Sequence, residues 1–287
     1  MKVLILGNKG MLGSDLYAKF FPDHEVVGKD IEDFNITSLA DCRDVVQECA
    51  PDCVINTVAY TNVDGCETDE AACFAINAEG VKNLAEACRA GVKIVHFSTD
   101  YVFDGTKGNP YVEGDLTNPI NAYGRSKLQG ERYLRETVEN LLLIRTAWLY
   151  GKNGQNFVKT ILKKAGNEKM LRVVSDQIGS PTYTRDLAGA VKILVEGDYR
   201  GLFHLTNRGR CNWYEFSLKI LEYAGVKGVD VEPISSDRSG RGALRPCFSV
   251  MSGQKFVSAT GKAMRFWQIA LQEFIDENWA MLISRND

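Results

Sequence analysis

KVLILGNKGMLG, at residues 2–13, is the stretch that decides the fold prediction. Its apolar half, residues 2–6, is typical of a β-strand, and the G-x-x-G-x-x-G turn after it leads into a helix predicted to start near Met11. The glycines allow a tight turn and a close approach of the backbone, so a pyrophosphate can bind the free N–H groups and the positive dipole end of the helix. The stretch predicts a dinucleotide site, whose candidate residues are Gly7, Gly10, Met11, Leu12 and Gly13.

An acidic residue after the second predicted strand, residues 25–28, supports this interpretation, since glycines at this spacing also occur in ordinary turns. Asp30 stands where a carboxylate can accept hydrogen bonds from an adenosine ribose. It would repel the extra phosphate of NADPH, whereas the adjacent Lys29 would attract it. The sequence thus predicts NADPH or NADH as the cofactor and does not choose between them.

The first half of the chain alternates short apolar, β-branched runs with longer segments whose apolar residues recur at three- and four-residue intervals. This alternation is typical of βαβ units around a parallel sheet. It predicts an α/β fold with a doubly wound parallel sheet of the Rossmann type. The predicted strands are residues 2–6, 25–28, 53–57, 92–98 and 141–145, and two predicted helices cover 39–49 and 71–90.

Beyond Tyr150 the alternation is less regular. The elements predicted there are helices at about 156–165, 182–195, 213–224 and 265–282, strands near 171–174 and 202–206, and a polar loop at 235–246. We therefore predict a dinucleotide-binding Rossmann domain at residues 1–150, with part of 170–200 returning to it. A smaller C-terminal lobe, mainly for substrate binding, is predicted at 151–287.

The run that leaves the third predicted strand, Thr57-Val58-Ala59-Tyr60-Thr61, carries small residues that would let the backbone approach a cofactor. Thr57, Ala59 and Tyr60 are therefore further candidate cofactor-binding residues. A simple strand-to-helix loop is the alternative, and the position of this strand beside the glycine turn decides between the two.

The spacing Tyr123-x-x-x-Lys127 is the most specific chemical signal in the chain. Four residues along a helix place two side chains on one face, so the ammonium would lie near the phenol and lower its pKa from the ordinary value of about 10. Tyr123 would then protonate a carbonyl oxygen that Thr99, at the end of the fourth strand, also holds, while Lys127 binds the nicotinamide ribose. These residues predict carbonyl reduction, and a chance i, i+4 pair is the alternative.

Composition argues against several other classes of function. The 34 Lys and Arg against 37 Asp and Glu leave a net charge of −3, which predicts no binding to nucleic acid or to an anionic membrane. The first apolar run is too short for a signal peptide, and no stretch is long and apolar enough for a membrane span. Eight cysteines without a C-x-x-C pair and three scattered histidines predict reduced thiols and no metal site. We therefore expect a cytoplasmic protein.

Longer motifs make the chain resemble a known family, the extended short-chain dehydrogenases/reductases, and within it the dTDP-4-dehydrorhamnose reductases. The resemblance covers most of the chain, and its STDYVF and DQxGxPT elements set it apart from the related sugar epimerases and dehydratases. The motifs that carry it are GNKGMLG at 7–13, STDYVFDG at 98–105, NAYGRSKLQGE at 121–131, RTAWLYG at 145–151, NFVKTIL at 156–162 and VVSDQIGSPTYTRDLA at 173–188.

This resemblance implies a small-molecule nucleotide-sugar substrate. The implied reaction reduces the C4 ketone of dTDP-4-dehydro-L-rhamnose to dTDP-L-rhamnose, with hydride from NAD(P)H and a proton from Tyr123. Thr99, Tyr123 and Lys127 match the catalytic residues of the family, and the last two would also contact the cofactor. The residues implied to line the sugar-nucleotide pocket are Tyr101, Phe103, Trp148, Asn156, Gln177 and Arg245.

Several of these assignments have a structural alternative. Tyr101 and Trp148 are also typical core aromatics, Asn156 is a typical helix cap, and Arg245 lies in a loop where charged side chains are ordinarily solvated. After Arg245-Pro246 the chain departs from the family pattern, which weakens the case for nucleotide recognition there. Two other functions stay open, namely another sugar-nucleotide reductase or epimerase and a non-catalytic, reductase-like regulatory subunit. The sequence also leaves open whether the chain forms a homodimer.

Overall fold

The computed structural model describes residues 1–283, with side chains described through Asn278. In chain order the strands are β1 Lys2–Leu6, β2 Glu25–Lys29, β3 Cys53–Asn56, β4 Lys93–Thr99, β5 Leu141–Thr146, β6 Leu149–Tyr150, β7 Met170–Val174, β8 Ile178–Gly179, β9 Thr182–Tyr183, β10 Gly201–His204, β11 Cys211–Asn212 and β12 Asp230–Ile234. Six of them form the central sheet in the order β10-β5-β4-β3-β1-β2, with every neighbouring pair parallel.

The α-helices are α1 Met11–Phe20, α2 Leu39–Cys49, α3 Val63–Thr68, α4 Glu70–Phe74, α5 Gly80–Ala87, α6 Ala122–Thr137, α7 Phe157–Asn167, α8 Thr184–Glu196, α9 Trp213–Tyr223, α10 Gln254–Thr260 and α11 Trp267–Ile283. Short 3-10 turns cover Asp100–Val102 and Ser236–Arg238. The predicted α/β class with a parallel, doubly wound sheet is confirmed, and most strand bounds differ from the prediction by one or two residues.

One predicted helix, residues 71–90, is divided in the structure. A π-helical turn at Ala75–Glu79 separates α4 from α5. Asn77, inside this turn, is fully buried: its amide nitrogen donates to the Tyr60 carbonyl and to the Ser126 hydroxyl, and its oxygen accepts from the Tyr60 N–H at 2.9 Å. The π-helical turn therefore provides hydrogen-bond partners for the loop after β3. The apolar periodicity used to predict one continuous helix does not reveal this contact between distant segments.

Helices cover both faces of the central sheet, which explains why β1 reads as a continuous apolar run. On one face α1 and α8 pack together through the buried side chains of Leu16, Phe20 and Leu187. On the other face α2 and α5 contribute Val46 and Leu84. Residues 3–6 are fully buried between these layers. β1 is therefore packed on both faces up to the carboxyl edge of the sheet.

The second half of the chain contributes to both the sheet and a smaller lobe. β10 lies at the edge of the sheet beside β5, and α8 packs on α1, although both come after residue 150. The lobe contains α7, α9 and α11 with the parallel pair β7 and β12. Its core is rich in aromatic side chains, among them Tyr150, Phe216, Trp267 and Phe274. The division of the chain at residue 150 stays a prediction.

A buried ion pair joins α6 to β5. The Arg145 guanidinium donates to both carboxylate oxygens of Glu131, from Nε at 2.8 Å and from Nη2 at 2.7 Å, and both residues are 1% exposed. The Arg145 Nη1 atom has no hydrogen-bond partner among the described residues. Because two parallel hydrogen bonds constrain both position and angle, this pair fixes how α6 sits on the sheet.

Other global features can be stated for the described residues. No helix there is long and apolar enough to cross a membrane. The eight cysteines are unpaired, and six of them are buried. No cluster of three or more His, Cys, Asp or Glu side chains within residues 1–278 could hold a metal ion.

Candidate active site

A cavity of about 580 Å³ lies at the carboxyl edge of the central sheet, where the loops after β1, β3, β4 and β5 meet. Crevices at this edge are the usual ligand sites of open parallel sheets. The cavity brings together ten of the residues predicted from the sequence, which are Gly10, Met11, Leu12, Thr57, Ala59, Thr99, Tyr101, Tyr123, Lys127 and Trp148.

The glycine turn forms one wall of this cavity. A Cβ atom at Gly7, whose φ is +79°, would lie 2.6 Å from the Thr57 Oγ1 atom, and one at Gly13 would lie 2.0 Å from the Gly7 carbonyl oxygen. α1 begins after Gly10, which offers no side-chain cap to the first helical N–H groups. These donors are left for an anion beside the cavity, so the turn fits the pyrophosphate of a dinucleotide.

Gly13→Ala is expected to weaken binding of NADPH by more than about tenfold, because the new methyl group can be accommodated only if the turn backbone moves. Fluorescence titration of the reduced cofactor measures this affinity. Gly189→Ala, in α8, is the matched control, since its Cβ would meet only the Lys19 side chain at 3.9 Å. Equal affinity in the two variants would contradict the assignment of the turn.

Tyr123 lies in the first turn of α6, which Asn121 caps by accepting the Gly124 N–H at 2.7 Å. Its ring packs edge-on against Tyr101 at 5.9 Å between centroids. Burial raises the pKa of the Tyr123 phenol well above its ordinary value, and the nearby Asp100 adds to this, while a hydrogen bond with Thr99 acts in the opposite direction. The phenol is therefore held in its protonated form, ready to donate.

The ammonium of Lys127 has a hydrogen-bond partner that the sequence did not predict. Its Nζ atom lies 3.3 Å from the Nε2 atom of His96. Burial lowers the pKa of Lys127 to about 8, although the charge of Glu131 opposes this shift. The predicted lowering of the Tyr123 pKa is wrong for this structure, since burial and the charge of Asp100 raise it.

Several predicted cofactor residues lie outside the lining of the cavity. Gly7 and Gly13 allow the close backbone contacts of the glycine turn but do not line the cavity. The backbone N–H of Tyr60 donates a hydrogen bond to Asn77. The Asp30 carboxylate, after β2, accepts the N–H groups of Lys9 and Ile31, each at 2.8 Å. Asp30 therefore closes the loop around the glycine turn, and its contact with a ribose stays a prediction.

Four predicted substrate residues also lie away from the lining. Phe103 is fully buried, stacked on Tyr111 at 4.0 Å with the Arg145 guanidinium at 5.1 Å, so the structure places it in the core. Asn156 caps α7 by accepting the Lys159 N–H at 3.2 Å. For these two side chains the observed contacts are structural.

Gln177 and Arg245 stand next to residues that line the cavity. Gln177 accepts a hydrogen bond from the indole of Trp213 at 3.2 Å, and Trp213 is a lining residue. Arg245 pairs with Asp64 at 2.8 Å, and its charge opposes the rise that burial causes in the pKa of Tyr101. They therefore position the wall of the cavity from behind.

Asp100 and Trp213 are among the lining residues of the cavity that the sequence analysis did not predict. Asp100 is 2% exposed, and burial raises its pKa to about 6. One of its carboxylate oxygens has no hydrogen-bond partner among the described residues. Trp213 stacks on Trp148 at 3.5 Å between ring centroids. Asp100 could have been predicted, because it directly follows the candidate residue Thr99 in the sequence. The contact between the two tryptophans could not, because nothing near either residue in the sequence indicates it.

Comparison with known proteins gives independent information. The family described as the RmlD substrate binding domain matches residues 1–279. SpsK of Bacillus subtilis, a spore coat polysaccharide biosynthesis protein, is 40% identical over 278 residues, which are 96% of this chain and 97% of that protein.

Two solved structures are similar over nearly the whole chain. A crystal structure of a dTDP-4-dehydrorhamnose reductase from Clostridium acetobutylicum has a TM-score of 0.94 and 39% identity, covering 97% of this chain and 100% of its own. The structure of dTDP-4-dehydrorhamnose reductase from Bacillus anthracis in complex with NADP has a TM-score of 0.93 and 38% identity, covering 96% of this chain and 99% of its own.

Proposed function

Because this chain belongs to the RmlD substrate binding domain family, we propose that it reduces the C4 ketone of dTDP-4-dehydro-L-rhamnose to dTDP-L-rhamnose with NADPH or NADH. The observation that carries this proposal is the single cavity in which Thr99, Tyr123 and Lys127 meet the glycine turn. The two solved structures described above are of dTDP-4-dehydrorhamnose reductases, and one of them holds NADP.

The proposed chemistry needs one hydride and one proton. The bound dinucleotide supplies the hydride, which forms the new C–H bond at C4. Tyr123 gives its phenolic proton to the carbonyl oxygen, and the raised pKa of the phenol keeps that proton in place until negative charge develops there. The Thr99 hydroxyl, which donates to the Asp100 carboxylate at 3.0 Å in the structure, would turn to donate to the same oxygen.

The remaining residues hold the two ligands. The N–H groups at the start of α1 would bind the pyrophosphate, and Lys127 would bind the ribose next to the nicotinamide. Asp100, with its unpartnered carboxylate oxygen, would accept a hydroxyl of the sugar. Tyr101 and the stacked Trp148 would form the wall on the substrate side.

Turnover of the purified chain tests this function. We expect absorbance of the reduced cofactor to fall when the dTDP-4-keto sugar is added, with dTDP-L-rhamnose as the product. An epimerase would retain its dinucleotide through purification and consume none, and a regulatory subunit would show no turnover. Either result would contradict the proposal.

The pKa of Lys127 predicts how the rate depends on pH. The ammonium is charged below its pKa of about 8 and loses its charge as the pH rises through that value. Since a neutral amine binds the ribose hydroxyls less well, kcat/KM for the reduced cofactor is expected to fall above about pH 8. A profile that stays flat to about pH 10 would contradict this role, because the more strongly shifted Tyr123 does not titrate in this range.

We also propose a cytoplasmic location, which is supported by eight unpaired cysteines. Free thiols are typical of a reducing compartment. Cell fractionation followed by immunoblotting tests it, and recovery outside the cytoplasmic fraction would contradict it.

A further inference from the structure

A second cavity, of about 490 Å³, lies between β10, the loop that follows it, and α10. It shares no lining residue with the catalytic cavity. Its volume falls within the range of small-molecule sites in proteins. This second cavity has no part in the proposed reduction.

The charge along the wall of the second cavity has one sign. Arg208 and Arg210 are its charged lining residues, with no carboxylate among the others. Neither guanidinium forms an ion pair with a carboxylate among the side chains described through Asn278. The guanidinium of Arg208 instead lies 4.4 Å from the centroid of the Phe266 ring. Two unpaired guanidinium groups beside one cavity suit an anion with several oxygens, and a phosphate matches this pattern.

A buried hydrogen-bond acceptor also lines the cavity. The Nδ1 atom of His204 lies 3.1 Å from the Tyr111 carbonyl oxygen, which only accepts, so Nδ1 carries the proton. Burial lowers the pKa of the ring to about 3, which leaves Nε2 unprotonated at neutral pH. Nε2 has no partner among the described residues, and His204 is fully buried. A ligand with an O–H or N–H group would satisfy this atom.

The rest of the wall is largely apolar, with Val250, Met251, Phe256 and Met264 beside Phe266. Phe266, on which the Arg208 guanidinium packs, is 46% exposed, so part of its ring is accessible to a ligand. A planar apolar body fits against these side chains. Together with the arginines and His204, the wall therefore specifies three parts of a ligand.

We propose that this cavity is a second ligand site for a small aromatic phosphate that carries a hydrogen-bond donor. The phosphate binds Arg208 and Arg210, the ring packs on the apolar wall, and the donor bonds to the Nε2 atom of His204. The proposal is independent of the reductase function, because the binding experiment below needs no turnover.

Calorimetric titration with three probes tests the proposal on the full chain saturated with NADP and dTDP, which keep the catalytic cavity filled. 4-Aminophenyl phosphate carries all three parts and is expected to bind with a Kd of about 1 mM or lower. Phenyl phosphate lacks the donor and is expected to bind about fivefold more weakly, while aniline, without the phosphate, shows no saturable binding. Absence of saturable binding of 4-aminophenyl phosphate up to about 10 mM overturns the proposal.

Two variants locate the bound probe. Arg210→Gln is expected to weaken binding by about tenfold, whereas Arg200→Gln, which removes an exposed arginine elsewhere, leaves it unchanged. Gly253→Leu fills the cavity, since a Cβ there meets nothing within 4 Å, and is expected to abolish binding. Gly114→Leu, at an equally open glycine outside this cavity, is its control. Unchanged affinity in both Arg210→Gln and Gly253→Leu would place the probe elsewhere and overturn the proposal.

Discussion

Tyr123→Phe is expected to lower kcat by about 10²- to 10⁴-fold, the usual contribution of a positioned proton donor. The substitution removes the phenolic oxygen and keeps the ring, so its edge-on contact with Tyr101 is preserved and the fold should be unchanged. Steady-state rates with the dTDP-4-keto sugar and NADPH measure the loss. The affinity for NADPH should change far less than kcat, because the glycine turn is untouched.

Tyr133→Phe is the matched control, because this tyrosine lies on the same helix and its hydroxyl binds the exposed Glu79 at 2.8 Å, away from the cavity. Its activity should equal that of the unaltered chain. If Tyr123→Phe also kept full activity, the proton would have to come from another group. Asp100, with a pKa raised to about 6 in the same cavity, would then be the first candidate.

Glu131→Gln is expected to lower the free energy of unfolding by about 3–5 kcal/mol, the usual cost of leaving one partner of a buried ion pair without the other. The Arg145 guanidinium would remain buried with its charge uncompensated, and its Nη1 atom already lacks a partner among the described residues. Urea denaturation followed by circular dichroism measures the change.

The exposed pair of Arg125 and Glu70, at 3.0 Å, provides the control for this experiment. Glu70→Gln should cost less than about 1 kcal/mol, because water screens charges at the surface. An equal loss of unfolding free energy in Glu131→Gln and Glu70→Gln would contradict the prediction, because the buried pair would then contribute no more to stability than the exposed one.

Glu131 also connects stability to the site, since it lies one helical turn beyond Lys127 on α6. Its charge raises the pKa of Lys127 and so opposes the effect of burial. In Glu131→Gln the alkaline fall in kcat/KM should therefore move to a pH below that of the unaltered chain.

Local patterns in the sequence predicted the parts of the site that lie on single elements. The glycine turn follows β1 directly, and the spacing of Tyr123 and Lys127 matches one face of α6. Both features could therefore be predicted from a few neighbouring residues. Both elements line the cavity because their loops meet at the same edge of a parallel sheet. The βαβ alternation predicted the parallel sheet, whereas the order of its strands, which brings these elements together, comes from the structure alone.

Contacts between distant segments of the chain could not be predicted in this way. Trp213 meets Trp148 from a distant segment of the chain, and Arg245 reaches Asp64 from a loop without periodicity. Phe103 belongs to a motif of the family, yet its neighbours Tyr111 and His204 hold it in the core. Such side-chain positions depend on packing between elements, which sequence spacing does not encode.

Transfer of a deuterium label tests the reductase account most directly. The chain is incubated with the dTDP-4-keto sugar and reduced cofactor that carries deuterium at the transferred position of the nicotinamide, and the product is analysed by NMR. We predict dTDP-L-rhamnose with deuterium on C4 and one cofactor oxidised for each sugar formed. A product without deuterium at C4, or one formed with no net oxidation of the cofactor, would contradict the account.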